Sequence, residues 1–142
     1  KIYVRKLMFF KESGIRHRVL SLMSLYGIKP CYTLYGCDSI SWNFESKQIE
    51  NIDTDAMWER IKSEFALDDI ELKKGFAVLG LVGNGIEETM EYVDALDELR
   101  KNGIQPASIS LGGSYTTFVI GVPEDRKLDA VNCVSERLFL KK

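Results

Sequence analysis

The chain reads as an α+β protein built from two copies of one βαββαβ unit, and three observations predict this. Gly27-Ile28-Lys29-Pro30 is followed six residues after its proline by Gly36, and Gly103-Ile104-Gln105-Pro106 is followed six residues after its proline by Gly112. The two elements lie 76 residues apart, from Gly27 to Gly103. Each is preceded by apolar residues at helical spacing and followed by residues alternating at the strand period, so one small unit occurs twice, at 1–74 and 75–142.

In the first copy, Ile2 to Phe10 is rich in branched and aromatic residues and predicts a strand, broken by Glu12-Ser13-Gly14. Ser13 is placed to cap a helix over about 14–26, whose Ile15, Val19, Leu22, Met23 and Tyr26 share a face, and Gly27 stops it. Ile28 to Tyr35 and Ser39 to Phe44 predict two strands around a turn at 36–38. In the latter, Ile40, Trp42 and Phe44 alternate with Ser39, Ser41 and Asn43. A helix over about 55–65 follows, capped by Asp53 or Thr54 and carrying Met57, Ile61 and Phe65, and then a short strand at 69–73.

The order repeats after Lys74-Gly75. Phe76 to Val82 predicts a strand, Gly83-Asn84-Gly85 a loop, and Glu87 to Lys101 a helix with Met90, Val93, Leu96 and Leu99 on its apolar stripe. Strands follow at 104–111 and 115–122, with Phe118 and Ile120 at the places of Trp42 and Phe44. Asp129-Ala130-Val131 matches Asp55-Ala56-Met57, and the last helix carries Leu128, Val131, Val134 and Leu138. Only Phe139 to Lys142 remain, too few for a full closing strand. The open edge predicts that the two units pack closely and that the chain dimerises.

At 142 residues the chain can bury roughly two thirds of its unfolded surface. It is 45% hydrophobic and 28% charged, ordinary globular values, and its net charge of -2 offers no basic excess for a nucleic-acid backbone. Three cysteines without Cys-x-x-Cys spacing indicate neither a disulfide framework nor a zinc site and suit a reducing cytoplasm. Cys31 and Cys133 read as buried small hydrophobes, and Cys37, in a turn, as reachable. No apolar run approaches the ~18 residues of a membrane span. The chain begins at Lys1 and is read as a piece of a longer polypeptide.

No catalytic constellation stands out. Gly80-Leu81-Val82-Gly83-Asn84-Gly85 reverses the dinucleotide order, and no Gly-Lys-Ser/Thr follows it, although its amides could hold a carboxylate. His17, the single histidine, falls off the apolar stripe between Arg16 and Arg18 and reads as solvated, so no metal site is expected. The basic-Gly-aromatic signature of βαββαβ RNA-binding modules is absent, and Trp42, Phe44 and Phe118 read as core beneath helices.

Taken together, these residues resemble the paired ACT domains at the carboxyl end of aspartokinases. The resemblance lies in Phe76-Ala77-Val78-Leu79-Gly80-Leu81-Val82-Gly83-Asn84-Gly85, Ala95-Leu96, Gly103-Ile104, Ile109-Ser110, Gly112-x-Ser114, and Val134-Ser135-Glu136-Arg137-Leu138-Phe139. It covers nearly the whole chain. It implies two ferredoxin-like units packed together, with antiparallel sheets and helices on one face.

The resemblance further implies a parent enzyme that phosphorylates L-aspartate with ATP and Mg, entering lysine, threonine and methionine biosynthesis. This chain would be its non-catalytic regulatory region, without a cofactor of its own. Its implied partners are an amino-acid effector, lysine or threonine foremost, a second copy paired through the ACT units, and the kinase domain of the same polypeptide. No nucleic acid or membrane is implied. Carried over by position, the effector site comprises Ser13, Gly14 and Ile15, then Pro30 and Cys31, and Ser39. Where lysine-sensitive members carry an Asp early in the second strand, this chain has Cys31, and Glu12 is assigned the missing carboxylate. A free-standing ACT-repeat protein that controls a partner and a purely structural dimerisation module are the alternatives.

Overall fold

The computed structural model describes residues 1–6, 11, 13–111 and 116–140. Their contacts form two compact units, Lys1–Lys74 and Gly75–Lys142. The first contains β1 (Ile2–Arg5), α1 (Ile15–Leu25), β2 (Tyr32–Tyr35), β3 (Ser39–Asn43), α2 (Thr54–Phe65) and β4 (Asp69–Leu72). Its strands form one antiparallel sheet in the order β2-β3-β1-β4. The second contains β5 (Phe76–Val82), a short α3 (Ile86–Thr89), α4 (Glu91–Lys101), β6 (Ser108–Ser110), β7 (Thr117–Pro123) and α5 (Lys127–Ser135), continued by a π-helical stretch Glu136–Leu140. Its three strands pair antiparallel in the order β5-β7-β6.

In each unit the helices cover one face of the sheet. Ile15, Val19, Leu22 and Met23 of α1 and Met57, Trp58, Ile61 and Phe65 of α2 share one core with Ile40 and Trp42 of β3. In the second unit Ala95 and Leu99, Ala130 and Val134, and Leu138 pack with Phe118, Ile120 and Val122 of β7. Each large side chain buried in this way contributes ~1.5 to 3 kcal/mol. The aromatic residues of the third strands are therefore core, with Phe44 half-buried beside it.

The repeated Gly-Ile-x-Pro has one physical job in both places. Gly27 and Gly103 adopt left-handed φ values of 76° and 66°. This lets the Ile28 N–H reach back to the Met23 carbonyl at 3.1 Å, and the Ile104 N–H to that of Leu99 at 2.9 Å. Both isoleucines are buried, so the glycine stops the helix and the isoleucine anchors the chain after it. After each proline the chain enters its edge strand through a bulge. Cys31 donates to the Asn43 carbonyl while Tyr32 stands opposite Asn43, and Ala107 donates to the Gly121 carbonyl while Ser108 stands opposite Gly121.

That pairing corrects the alignment of the copies. Asn43 corresponds to Gly121, 78 residues on, so Ile120 rather than Phe118 takes the place of Trp42. A two-residue slip keeps every side chain on its own face, which is why the core pattern read correctly. In the last helix the buried stripe Met57, Ile61, Phe65 corresponds to Ala130, Val134, Leu138, 73 residues on. Leu128 and Val131, expected in the core, are exposed.

Other expectations shift at element ends. Gly14, with φ 79°, is the N-cap of α1, so Ser13 does not play that part. Asp53 does cap α2, accepting from the Ala56 N–H at 3.1 Å. β2 and β6 are shorter than their apolar runs, and the expected strand residues 7–10 and 115 lie outside the described ones. The helix expected over 87–101 is interrupted at Met90, whose φ of 56° separates α3 from α4. A left-handed non-glycine residue costs ~1 to 2 kcal/mol. Met90 and Val93 are exposed, and Ile86, which the sequence did not single out, is buried instead.

Candidate functional site

β1 and β2 are both antiparallel to β3, so their carboxyl ends lie at the same end of the first sheet. There Arg5 pairs with Ser39, the Lys6 N–H donates to the Asp38 carbonyl at 2.9 Å, and the Gly36 N–H donates to the Ser39 carbonyl at 2.8 Å. Gly36 sits so close to the Ser39 hydroxyl that a side chain there would displace it. α1 begins at this end too, with the Arg16 guanidinium 4.8 Å from the centroid of the Tyr35 ring. Exposed Ser13 and Gly14, buried Ile15 and half-buried Ser39 are thus brought to one place.

This end gathers helix amides and cations on the α1 side, with Asp38, Asp68 and Asp69 at the ends of the neighbouring strands. Among the described residues the first turn of α1 holds no acidic side chain and no side-chain cap, and the leading amides of a helix carry partial positive charge. Arg16, His17 and Arg18 follow directly, with the Arg18 guanidinium 5.1 Å from the Phe65 ring centroid. The Lys6 Nζ donates to the Phe65 carbonyl at 2.8 Å and closes the end of α2. A free carboxylate is the group that such amides and cations accept best. Glu12 lies outside the described residues.

Pro30 and Cys31 stand at the opposite end of β2, roughly 13 Å along the strand from Tyr35 at ~3.3 Å per residue. The loop that carries them is locked by Gln48, whose Oε1 accepts from the Lys29 N–H at 2.7 Å and whose Nε2 donates to the Lys29 carbonyl at 3.3 Å. Cys31 is exposed at the bulge, where the sequence had suggested a buried strand residue. Beside it, Asn43 is buried with no partner for its Nδ2, and Lys47 pairs with Glu45 at 2.6 Å. Within one copy of the chain, then, the two halves of the expected site do not meet. Among the described residues no group of three His, Cys, Asp or Glu side chains is placed to hold a metal, and His17 is exposed on α1.

No protein-family model and no curated protein matches the chain in sequence. Solved structures match it in fold. Aspartate kinase from Clostridium acetobutylicum is 25% identical, with a TM-score of 0.87 over 96% of this chain and 32% of that one. The regulatory subunit of aspartate kinase from Thermus flavus is 15% identical, with a TM-score of 0.79, and here the match covers 96% of this chain and 90% of that subunit. The chain has the fold of the tandem ACT regulatory domains of aspartate kinases. A third structure, E. coli aspartokinase III in complex with lysine and aspartate, is 17% identical with a TM-score of 0.79, over 97% of this chain and 30% of that one. The chain thus spans about a third of the length of the whole enzymes it matches.

The two units enter their first helices alike. Gly14-Ile15 and Gly85-Ile86 each place a left-handed glycine, φ 79° and 76°, before a buried isoleucine. Sequence reading found the first pair and missed the second, although the shared dipeptide was in view. It also missed Arg16 and Tyr35, since a basic residue off the apolar stripe and an exposed strand-end aromatic look like ordinary surface.

Proposed function

We propose that this ACT domain is the effector-sensing region of an aspartate kinase, in which binding of an end-product amino acid, lysine or threonine, controls ATP-dependent phosphorylation of L-aspartate in the cytoplasm. The ATP and Mg belong to a kinase domain of the same polypeptide. One observation carries the reading: the two halves of the site lie at opposite ends of β2, and β2 is an edge strand.

The bond from the Gly36 N–H to the Ser39 carbonyl fixes which peptide groups of β2 face β3, leaving those of Thr33 and Tyr35 directed outward. A second copy added antiparallel across this edge, on a twofold axis near Leu34, sets the start of one β2 beside the end of the other. Ser13, Gly14, Ile15 and Ser39 of one subunit then face Pro30 and Cys31 of the next. The effector's carboxylate sits on the α1 amides, and its side chain runs toward the bulge of the partner subunit. Two equivalent sites result, and the effector joins the copies. A ligand that fits one arrangement of the pair better than another shifts the enzyme's state, by ~1 to 3 kcal/mol in typical allosteric coupling.

Titration with lysine, threonine and methionine, followed by melting temperature, tests the reading, because a ligand that binds only the folded state raises stability. Subunit mixing tests the shared site. Gly14→Val and Cys31→Trp chains, each unable to bind alone, regain one intact site per mixed dimer. No shift with any of the three amino acids, or no recovery on mixing, refutes the respective part.

A further inference from the structure

In the second unit an unbroken first helix and a buried Ile86 exclude one another. Residues 86–101 contain neither Gly nor Pro and consist mostly of good helix formers, yet α3 stops at Thr89 and α4 starts at Glu91. Met90 between them has φ 56° and ψ 23°, and its side chain is 54% exposed, so packing of that side chain does not hold it there. Each half is closed by its own bonds. The Thr89 N–H and Oγ1 both donate to the Gly85 carbonyl, at 2.9 and 3.1 Å, and the Val93 N–H donates to the Met90 carbonyl at 2.8 Å. On a continuous helix Ile86 would point about 180° away from Ala95 and nearly as far from Leu99, out of the core. Only the break lets it reach 4% exposure.

We propose that residues 84–91 form a two-state switch. In the state described here the helix is broken and Ile86 is seated. In the other, Met90 relaxes to the right-handed region, α3 and α4 fuse into one helix from Ile86 to Lys101, and Ile86 leaves the core. One state keeps a strained backbone residue and the other loses a buried side chain, two terms of similar size, so a ligand or partner with modest preference shifts the balance. The Gly83 N–H donates to the Thr116 carbonyl at 2.9 Å, which pins the start of the loop to the strand side and confines the motion to the segment beyond it.

The test uses the full chain, isotopically labelled, with the Cα chemical shift of residue 90 and relaxation dispersion over residues 84–91 as readouts. The unsubstituted chain shows dispersion there, and Met90→Gly, which removes the strain of the left-handed conformation, suppresses it at least severalfold. Ile86→Ser combined with Met90→Ala moves the shift of residue 90 from left-handed to helical and increases the helical circular dichroism. A left-handed residue 90 in a folded double variant overturns the proposal. If the double variant unfolds the unit, the glycine comparison decides: dispersion that is absent in the parent chain, or unchanged by Met90→Gly, overturns it equally.

Discussion

The guanidinium of Arg16 stands 4.8 Å from the centroid of the Tyr35 ring and so ties the first turn of α1 to the last residue of β2. The contact sits where a carboxylate would meet the α1 amides, and Tyr35 is 61% exposed. Arg16→Ala should lower stability by ~0.5 to 1 kcal/mol in denaturant titration, the range for an exposed cation–π pair. It should also weaken effector binding severalfold in calorimetry, whereas Arg16→Lys should keep part of both.

Pairing of two β2 edges about Leu34 brings Cys31 of one subunit near Cys37 of the other, and both thiols are exposed. Mild oxidation should trap a disulfide-linked dimer that Cys31→Ser and Cys37→Ser each abolish. Effector present during oxidation should increase the yield. A cross-link that survives in both single variants would sink the proposed pairing.

The last helix offers a check on which face is core. Ala130 is fully buried and Val131 is 48% exposed, the reverse of the sequence expectation for Val131. Ala130→Asp should destabilise the second unit by ~3 kcal/mol or more through a buried unpaired charge. Val131→Asp should stay within ~0.5 kcal/mol. Paired melting curves distinguish them.

Asp97 on α4 accepts from Lys101 and Arg100, at 2.8 and 2.6 Å, and these bonds hold its pKa down at about 2. Its folded value lies below its unfolded one, near 3.9. Its stabilising contribution is therefore complete above about pH 4 and is lost as pH falls from there through 2. Asp97→Asn should flatten the acid limb of the stability curve in that window and leave it unchanged in shape near neutrality. The effect is small, because the carboxylate is solvated.

Asp53→Ala removes the cap of α2 and should cost ~1 kcal/mol, whereas Ser13→Ala should cost little stability, because Gly14 rather than Ser13 caps α1. Urea midpoints of the two variants test this.

Much of the fold was legible because its signals are local. A glycine that must take positive φ, an isoleucine anchoring the chain after it, and alternation at 3.6 or 2 residues are written in neighbouring positions, as at Gly27-Ile28 and Ile40-Trp42. The candidate site was legible only in pieces. Gly14-Ile15 could be read as a loop entering a helix, but nothing in the order of residues tells that Cys31 sits at an exposed bulge far along β2.

The sequence by itself determined the βαββαβ order of the first unit and its repetition without a full closing strand, the helix stops at Gly27 and Gly103, and the core aromatics of the third strands, because backbone sterics and apolar periodicity act within a few residues. Tertiary structure alone decided three other things. It set the 78- and 73-residue correspondences of strand and helix, which depend on hairpin and loop lengths. It broke the helix at Met90, where burial of Ile86 outweighs local propensity. It placed Ser13–Ile15 and Pro30–Cys31 at opposite ends of β2, because strands joined through a helix and a hairpin meet by sheet order and not by distance along the chain.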